Sequence, residues 1–426
     1  MKLRRKRTVT STRDRKLAKL SVIVSCLMLA PFAATVADGQ PLAQVSLEDA
    51  LSLALARNAT LRAKEAELNS VKANEITAGL RPNPTASYLV EQIGLSNTTP
   101  QHTATLGQPI ETGGKRRRRI ESAQAATRTT GYELADVRRL TAFQVKKAFT
   151  DILVAQSTLG LASENLKTLD ELERLQRLRA ERGDISELEL TRIQVQRYAF
   201  ERDAADARLA AKTAKLALRA LVDPAAVAEE FSVIGELTFH EVPLARPDLY
   251  RLTFANRPDL RAAEAARDKA RADFNLARAN AWWDITPQVE YQRIGPDNTL
   301  GFGVSLPIRI FDRNQGEIAR TRSEIDRTDR VREAVVIQAL LEADTALATA
   351  LNEREKLRLL RETYLRKAQE ARDTVDYAYR RGGLTLLDFL DAQRTYRETA
   401  LQHITALGNY ETALVQLEAA VGGSLE

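Results

Sequence analysis

The sequence has 426 residues, 44% of them hydrophobic and 28% charged, with a formal net charge of +6. Its single cysteine and two methionines all fall within the first 28 residues, which excludes a disulfide framework and sulfur ligation of soft metals in the remainder of the chain. Nine Lys or Arg and one Asp crowd the first 19 residues, so the chain beyond residue 37 sits near −2 and a nucleic-acid partner loses its support.

That basic start is followed by an apolar run from Leu20 to Ala30, the pattern of a signal peptide. Residues 1–37 are expected to be removed after Thr35-Val36-Ala37, leaving a mature chain of 389 residues that begins at Asp38. Ile23-Val24-Ser25-Cys26 offers an alternative, lipidation at Cys26, although the apolar run continues past it. Beyond the leader no stretch of 18 apolar residues is evident, so a membrane crossing would have to use strands rather than a helix.

A first repeat is expected over 38–222. Ser46-Leu47-Glu48-Asp49 can cap a helix that runs to about Ala78, where Gly79 and Pro82 stop it. Strands are predicted at about Thr85 to Gln92 and Thr103 to Gln108. From Gly113-Gly114 to Gly183 the sequence reads as one helix of nearly 70 residues, or roughly 100 Å. Leu161, Leu169, Leu172, Leu175 and Leu178 give it a partial heptad signal. A return helix is expected from Asp184 to Ala220. The helical pattern lapses over 223–248, either a plain linker or part of a mixed belt. The second repeat, over 249–420, brings a helix near Leu249 to Ala281 and strands at Thr286 to Arg293 and Thr299 to Leu306. A long helix from Gln315 to Arg381, a return from Thr385 to Ala420 and a tail over 421–426 complete it.

The halves correspond in detail. Asn58 to Ala63 returns as Arg257 to Ala262, offset by 199, and Gln108-Pro109-Ile110 as Leu306-Pro307-Ile308, offset by 198. Arg182 to Leu190 returns as Arg381 to Phe389, again offset by 199.

Leu300, Phe302, Val304 and Leu306 alternate with Gly301, Gly303 and Ser305, and Val289 and Tyr291 with Gln288, Glu290 and Gln292. That is the apolar-out, polar-in pattern of a water-filled barrel. Four strands cannot close one, and open edges are not tolerated in lipid, so several subunits must contribute. Solvent-exposed hairpins are the alternative. The run Lys115-Arg116-Arg117-Arg118-Arg119 opens a helix against its dipole; contact with acidic membrane groups and simple solvation both account for it. No enzyme or cofactor is expected: His102, His240 and His403 lack metal-ligand spacing, and Gly113-Gly114-Lys115 lacks a P-loop frame.

Leu106-Gly107-Gln108-Pro109-Ile110-Glu111-Thr112-Gly113-Gly114-Lys115-Arg116 and Gly382-Gly383-Leu384-Thr385-Leu386-Leu387-Asp388-Phe389-Leu390-Asp391-Ala392-Gln393 resemble the TolC-type outer-membrane factor family, and within it the CzcC-like members of heavy-metal resistance systems. The resemblance implies a mainly α fold: a homotrimer with a 12-stranded barrel in outer-membrane lipid, a periplasmic coiled-coil helical barrel and an equatorial belt. It implies that Arg182, Gly183, Asp184, Ile185 and Ser186, with Arg381, Gly382, Gly383, Leu384 and Thr385, form hairpin tips that receive a periplasmic adaptor. Asp388 and Asp391 match acidic aperture positions, whereas the first half has Glu189 and Arg192 there. The implied function is passive conduction of divalent heavy-metal cations from an inner-membrane resistance-nodulation-division pump to the exterior. A drug-efflux or type I secretion conduit, or a periplasmic coiled-coil scaffold, are the competing readings.

Overall fold

The computed structural model describes residues 41–94, 98–243 and 245–425. The leader, its cleavage after Ala37 and the lipidation alternative at Cys26 lie outside the described residues.

The first half comprises β1 (Leu42–Val45), α1 (Leu47–Arg57), α2 (Ala59–Gly79), β2 (Thr85–Glu91), β3 (Gln101–Gly107), α3 (Lys115–Glu181) and α4 (Glu187–Val222). After β4 (Val227–Val233) the second half comprises α5 (Arg246–Asn256), α6 (Pro258–Asn280), β5 (Thr286–Ile294) and β6 (Asp297–Ser305). It continues with α7 (Gln315–Leu359), a π-helical turn (Leu360–Leu365), α8 (Arg366–Arg380) and α9 (Leu386–Val421). α3 alone has 67 residues, about 100 Å of helix.

The helix expected from Ser46 to Ala78 is two helices. Ser46 and Asp49 form a capping box at the start of α1, but the chain then breaks at Asn58. The Asn58 Oδ1 accepts from the amides of Thr60 and Leu61 at 3.0 and 3.2 Å, which starts α2 afresh. Its Nδ2 donates to the Leu221 carbonyl at 3.0 Å, near the end of α4. The second half breaks at Arg257, ahead of Pro258 at the first position of α6. There the guanidinium donates to the Ala420 carbonyl at 3.0 Å. Arg257 follows Asn58 by 199 residues and Ala420 follows Leu221 by 199, so each half fastens its break to the end of its own return helix. Left-handed backbone recurs the same way, with φ of 86° at Asp223 and 81° at Gly422, and of 71° at Gly114 and 60° at Asn314.

The four strands near the predicted positions form one antiparallel sheet in the order β2-β3-β5-β6, with β3 beginning at Gln101 rather than Thr103. Its register sorts side chains by chemistry. Ala86, Leu106, Val289 and Phe302 form one cross-strand row, and Tyr88, Ala104, Tyr291 and Leu300 the next on the same face. On the other face the rows are Thr85, Gly107, Gln288 and Gly303, then Ser87, Thr105, Glu290 and Gly301. Along β5, Val289, Tyr291 and Arg293 are exposed while Gln288, Glu290 and Gln292 are half-buried, the reverse of a sheet in water. β5 and β6 join through Gly295-Pro296, with Gly295 at φ 59°, which a two-residue hairpin of matching twist requires.

The joining segment is ordered where it is described. β4 pairs in parallel with β1, a four-residue strand that escaped prediction. Val45, Val227 and Phe231 from these strands pack with Val145, Phe149 and Ile152 of α3 and Leu218 of α4. Beyond β4 the chain lies along α7 and α9, where Leu237, Phe239 and Val242 cover Leu357, Tyr410 and Leu414. The Tyr410 hydroxyl donates to the His240 carbonyl at 3.0 Å, and Arg361, in the π-helical turn, sits 5.5 Å above the Phe239 ring.

Contrary to the expectation from sequence, the helical stretch Gln315–Arg380 is long and apolar enough, by length and composition alone, to cross a membrane. Ala339, Ala343, Ala346, Leu347 and Ala350 from this region are buried, whereas Ile337 and Leu341 are exposed. Two apolar faces on one helix raise its hydropathy without a lipid environment, because one packs inside the chain and the other stays uncovered.

Candidate functional site

Where the helices meet the sheet, the basic run is spent on the chain itself. Lys115 Nζ bonds Asp284 Oδ2 at 2.7 Å, and Asp284 Oδ1 accepts from the Thr112 amide at 3.0 Å. Arg116 donates to the Gly79 carbonyl at 2.6 Å, and Arg119 to those of Ala78 and Leu80 at 3.1 and 2.9 Å. Arg119 also pairs with Glu111, and Arg118 with Glu121 at 2.7 Å. The cations that strain the start of α3 therefore satisfy the last carbonyls of α2, where positive charge is favourable. Arg117 differs, 71% exposed to solvent with Glu121 at 3.7 Å. Gly113 turns at φ 64° against Trp282, where an added Cβ would come within 2.9 Å of the side chain. Trp282, Trp283 and Phe311 are exposed beside this junction, as befits aromatic side chains at a membrane surface.

At the far ends of the long helices both reversals use one device. Gly183, at φ 82°, donates to the Ala180 carbonyl at 2.9 Å, and the Asp184 amide to that of Arg179 at 2.9 Å. Gly382, at φ 78°, donates to Tyr379 at 2.9 Å, and the Gly383 amide to Ala378 at 2.9 Å. This pair of bonds closes a helix C-terminus around a left-handed residue, so glycine suits both sites. Arg182 and Arg381 are the C-cap residues, and Ser186 and Thr385 cap the helices that follow. Ile185 is half-buried, whereas Leu384, Leu188 and Leu387 stand exposed around the turns.

The structure packs the two hairpins together near these turns, an association that the sequence pattern did not disclose. Leu169 and Leu172 of α3, Ile193 and Phe200 of α4, Tyr379 of α8, and Leu386 and Phe389 of α9 form one cluster. Gln176, 1% exposed, donates its side-chain amide to the Tyr379 hydroxyl across the hairpins. Leu386 and Phe389, three residues apart, were the available signal.

Asp388 and Asp391 are exposed on α9 beside that cluster. Asp388 completes a capping box: its Oδ2 accepts from the Thr385 hydroxyl at 2.6 Å and the Thr385 amide at 3.0 Å. These bonds hold its carboxyl below the usual range, so it stays ionised through mildly acidic conditions. Asp391 accepts from Arg394 at 2.6 Å, with both side chains 62% exposed. In the first half Glu189 takes the place of Asp388, and its amide donates to the Ser186 Oγ at 3.4 Å. The three histidines are dispersed: His102 bonds the Tyr88 hydroxyl at 2.8 Å, His240 lies 3.8 Å from Glu411, and His403 is held below its usual pKa by burial and then by Arg361. Among the described residues no cluster of three or more His, Asp or Glu is placed to hold a metal.

A membrane-type half-sheet continued by two helical hairpins packed near their tips is the architecture of an outer-membrane channel subunit. The sequence matches the family described as outer membrane efflux protein over residues 50–222 and 249–423. The chain belongs to this TolC-type family and is closely related to its CzcC group. It is 29% identical over 385 residues to the cobalt-zinc-cadmium resistance protein CzcC of Cupriavidus metallidurans, covering 89% of this chain and 90% of the relative. It is 26% identical to the nickel-cobalt-cadmium resistance protein NccC of Alcaligenes xylosoxydans xylosoxydans, covering 78% and 74%. The open-state MtrE outer membrane channel of Neisseria gonorrhoeae shares the fold, with a TM-score of 0.73 at 21% identity over 89% of each chain. The protein is thus the outer-membrane channel of a tripartite efflux system, a non-catalytic conduit that sits in the outer membrane and extends into the periplasm.

Proposed function

We propose that three copies of this chain assemble into a 12-stranded barrel continued by a periplasmic helical barrel, and that the duct conducts divalent heavy-metal cations outward. The observation that carries the oligomer is the sheet, which has an exposed apolar face and two strands, β2 and β6, paired on one side only. Lipid does not tolerate such edges, and four strands cannot close on themselves. The uncovered face of α7 at Ile337 and Leu341 supports the same packing by neighbours.

In this reading the turns at Arg182–Gly183–Asp184–Ile185–Ser186 and Arg381–Gly382–Gly383–Leu384–Thr385 receive a periplasmic adaptor bound to an inner-membrane resistance-nodulation-division pump. Exposed Leu188, Leu384 and Leu387 supply apolar contact area there. Asp388 and Asp391, repeated three times, form acidic rings that draw cations and repel anions. Arg394 moderates the second ring. The segment 223–248 contributes to an equatorial belt. The names of the two curated relatives support cobalt, zinc, cadmium and nickel as cargo.

The test is a host deleted for its own metal-efflux channel, complemented with this chain and challenged with zinc, cobalt, cadmium and, separately, with drugs. Restored metal tolerance with lowered cell metal is expected, and Asp391→Asn should weaken it. Restored drug tolerance without metal tolerance would refute the cargo assignment and favour a drug conduit.

A further inference from the structure

The internal repeat states what each sheet edge meets. α2 and α6 end at Gly79 and Asn280, β2 and β5 begin at Thr85 and Thr286, and the hairpin glycines are Gly94 and Gly295. All three place the leading strands of the two halves 201 residues apart. The trailing strands β3 and β6 end at Gly107 and Ser305, 198 apart. The hairpins check these offsets independently: Thr85 pairs with Gly107, and its image Thr286 pairs with Ser305. The strands of the two halves therefore correspond residue for residue from Thr85 and Thr286 onward, β5 and β6 running two residues longer.

Within the chain, trailing strand β3 pairs with leading strand β5, Thr105 opposite Glu290 and Leu106 opposite Val289. Carrying this pairing through the same offsets, we infer that β6 pairs antiparallel with β2 of a second copy in one definite register. Ser305 lies opposite the partner's Ser87, Val304 opposite the partner's Tyr88, Gly303 opposite the partner's Leu89 and Phe302 opposite the partner's Val90. The inference rests on the proposed oligomeric barrel and adds the register that closes it.

Two features that a single chain leaves unexplained fit this register. Leu89 stands on the polar face yet is 54% exposed, and a Cβ at Gly303 would find nothing within 4 Å. Placing one over the other covers the leucine in the space the glycine leaves. Val304 and Tyr88, 65% and 67% exposed, become an aromatic and β-branched cross-strand pair on the lipid face. Inside the chain the ladder extends past the strands, with Ile110 and Ile285 exchanging amide bonds of 2.8 and 3.2 Å. The image of that exchange is Ile308 with the partner's Pro84. Proline has no amide to give, so the ladder between copies ends one bond sooner.

Ser305 with Ser87 is the image of Gly107 with Gln288. It falls between the positions that exchange amide bonds, where Cα atoms lie about 4.5 Å apart, inside the disulfide range. A two-residue slip would separate the same atoms by about 8 Å, beyond it. The one native cysteine lies at position 26, within the expected leader. The experiment oxidises the full-length protein in membranes, carrying Ser87→Cys with Ser305→Cys, Leu89→Cys with Ser305→Cys as the slipped pair, or Thr105→Cys with Glu290→Cys as the pair within one chain. The first should give reductant-sensitive dimers and trimers on a denaturing gel, at least about tenfold more than the slipped pair. The third should link without raising the mass. Equal or better linking of the slipped pair overturns the register, and so does failure of the first pair, whether or not the third pair links. Native mass of the same samples separates the two readings: three chains without the 87–305 link sink the register alone, whereas single chains sink the barrel as well.

Discussion

Arg257→Ala tests how firmly each half is fastened to its return helix. The guanidinium is 2% exposed and bonds Asp259 at 2.9 and 2.5 Å, Glu342 at 2.8 Å and the Ala420 carbonyl at 3.0 Å. Removing one member of a buried ionic network costs about 3–5 kcal/mol, because the partners stay behind unpaired. Asp259 and Glu342 are 24% and 41% exposed, so water recovers part of that loss and about 2–3 kcal/mol is expected. Asn58→Ala, at the matching place in the first half, removes a neutral cap and one carbonyl bond, for about 1–2 kcal/mol. Heat scans of the far-ultraviolet circular dichroism in detergent, all at one rate, should therefore rank Arg257→Ala below Asn58→Ala. Burial pushes the Asp259 carboxyl up, but Arg257 outweighs it and holds the group below its usual range. A lowered folded pKa stabilises above the unfolded value and is lost as pH falls through the folded one, so the gap between wild type and Arg257→Ala should narrow below about pH 4. Equal melting of the two variants, or a gap indifferent to acid, would refute the reasoning.

Gly408→Ala should destabilise by about 1–3 kcal/mol, since the new Cβ would lie 2.2 Å from Val154 Cγ2, and Val154→Ala should partly rescue it in the same melting assay. Glu411 is pushed above the usual carboxylate range by burial, only partly offset by His240, and its Oε1 has no hydrogen-bond partner. A raised carboxyl pKa costs stability as pH rises past the unfolded value, so Glu411→Gln should gain about 1 kcal/mol near pH 7 and nothing below about pH 4; a gain that persists in acid would contradict this. Gly382→Ala meets open space but must hold a φ of 78°, at about 1 kcal/mol confined to the turn. It should quicken proteolysis at residues 381–385 without moving the main melt.

What the sequence revealed about this chain came from local chemistry. Gly183 and Gly382 marked the helix reversals because few other residues tolerate that backbone, and Ser46 with Asp49 announced the cap of α1. The alternation at Leu300, Phe302 and Val304 located β6 and its apolar face. What stayed hidden depended on contacts between distant segments. β1 has four residues and exists through pairing with β4, far along the chain. Asn58 looks like a tolerable residue inside a helix until its amide is seen on the Leu221 carbonyl. Arg116 and Arg119 read as a misplaced charge run because α2, whose carbonyls they cap, ends some 37 residues earlier for the Arg116 bond. The packing of Tyr379 against Gln176 near the tips spans 203 residues and has no local signature.

The central claim is that several chains close one barrel, and native mass spectrometry of the protein gently extracted into detergent tests it most directly. The account predicts a complex of three chains, each of 389 residues beginning at Asp38. A monomer or dimer that survives extraction would leave β2 and β6 unpaired in lipid and contradict it.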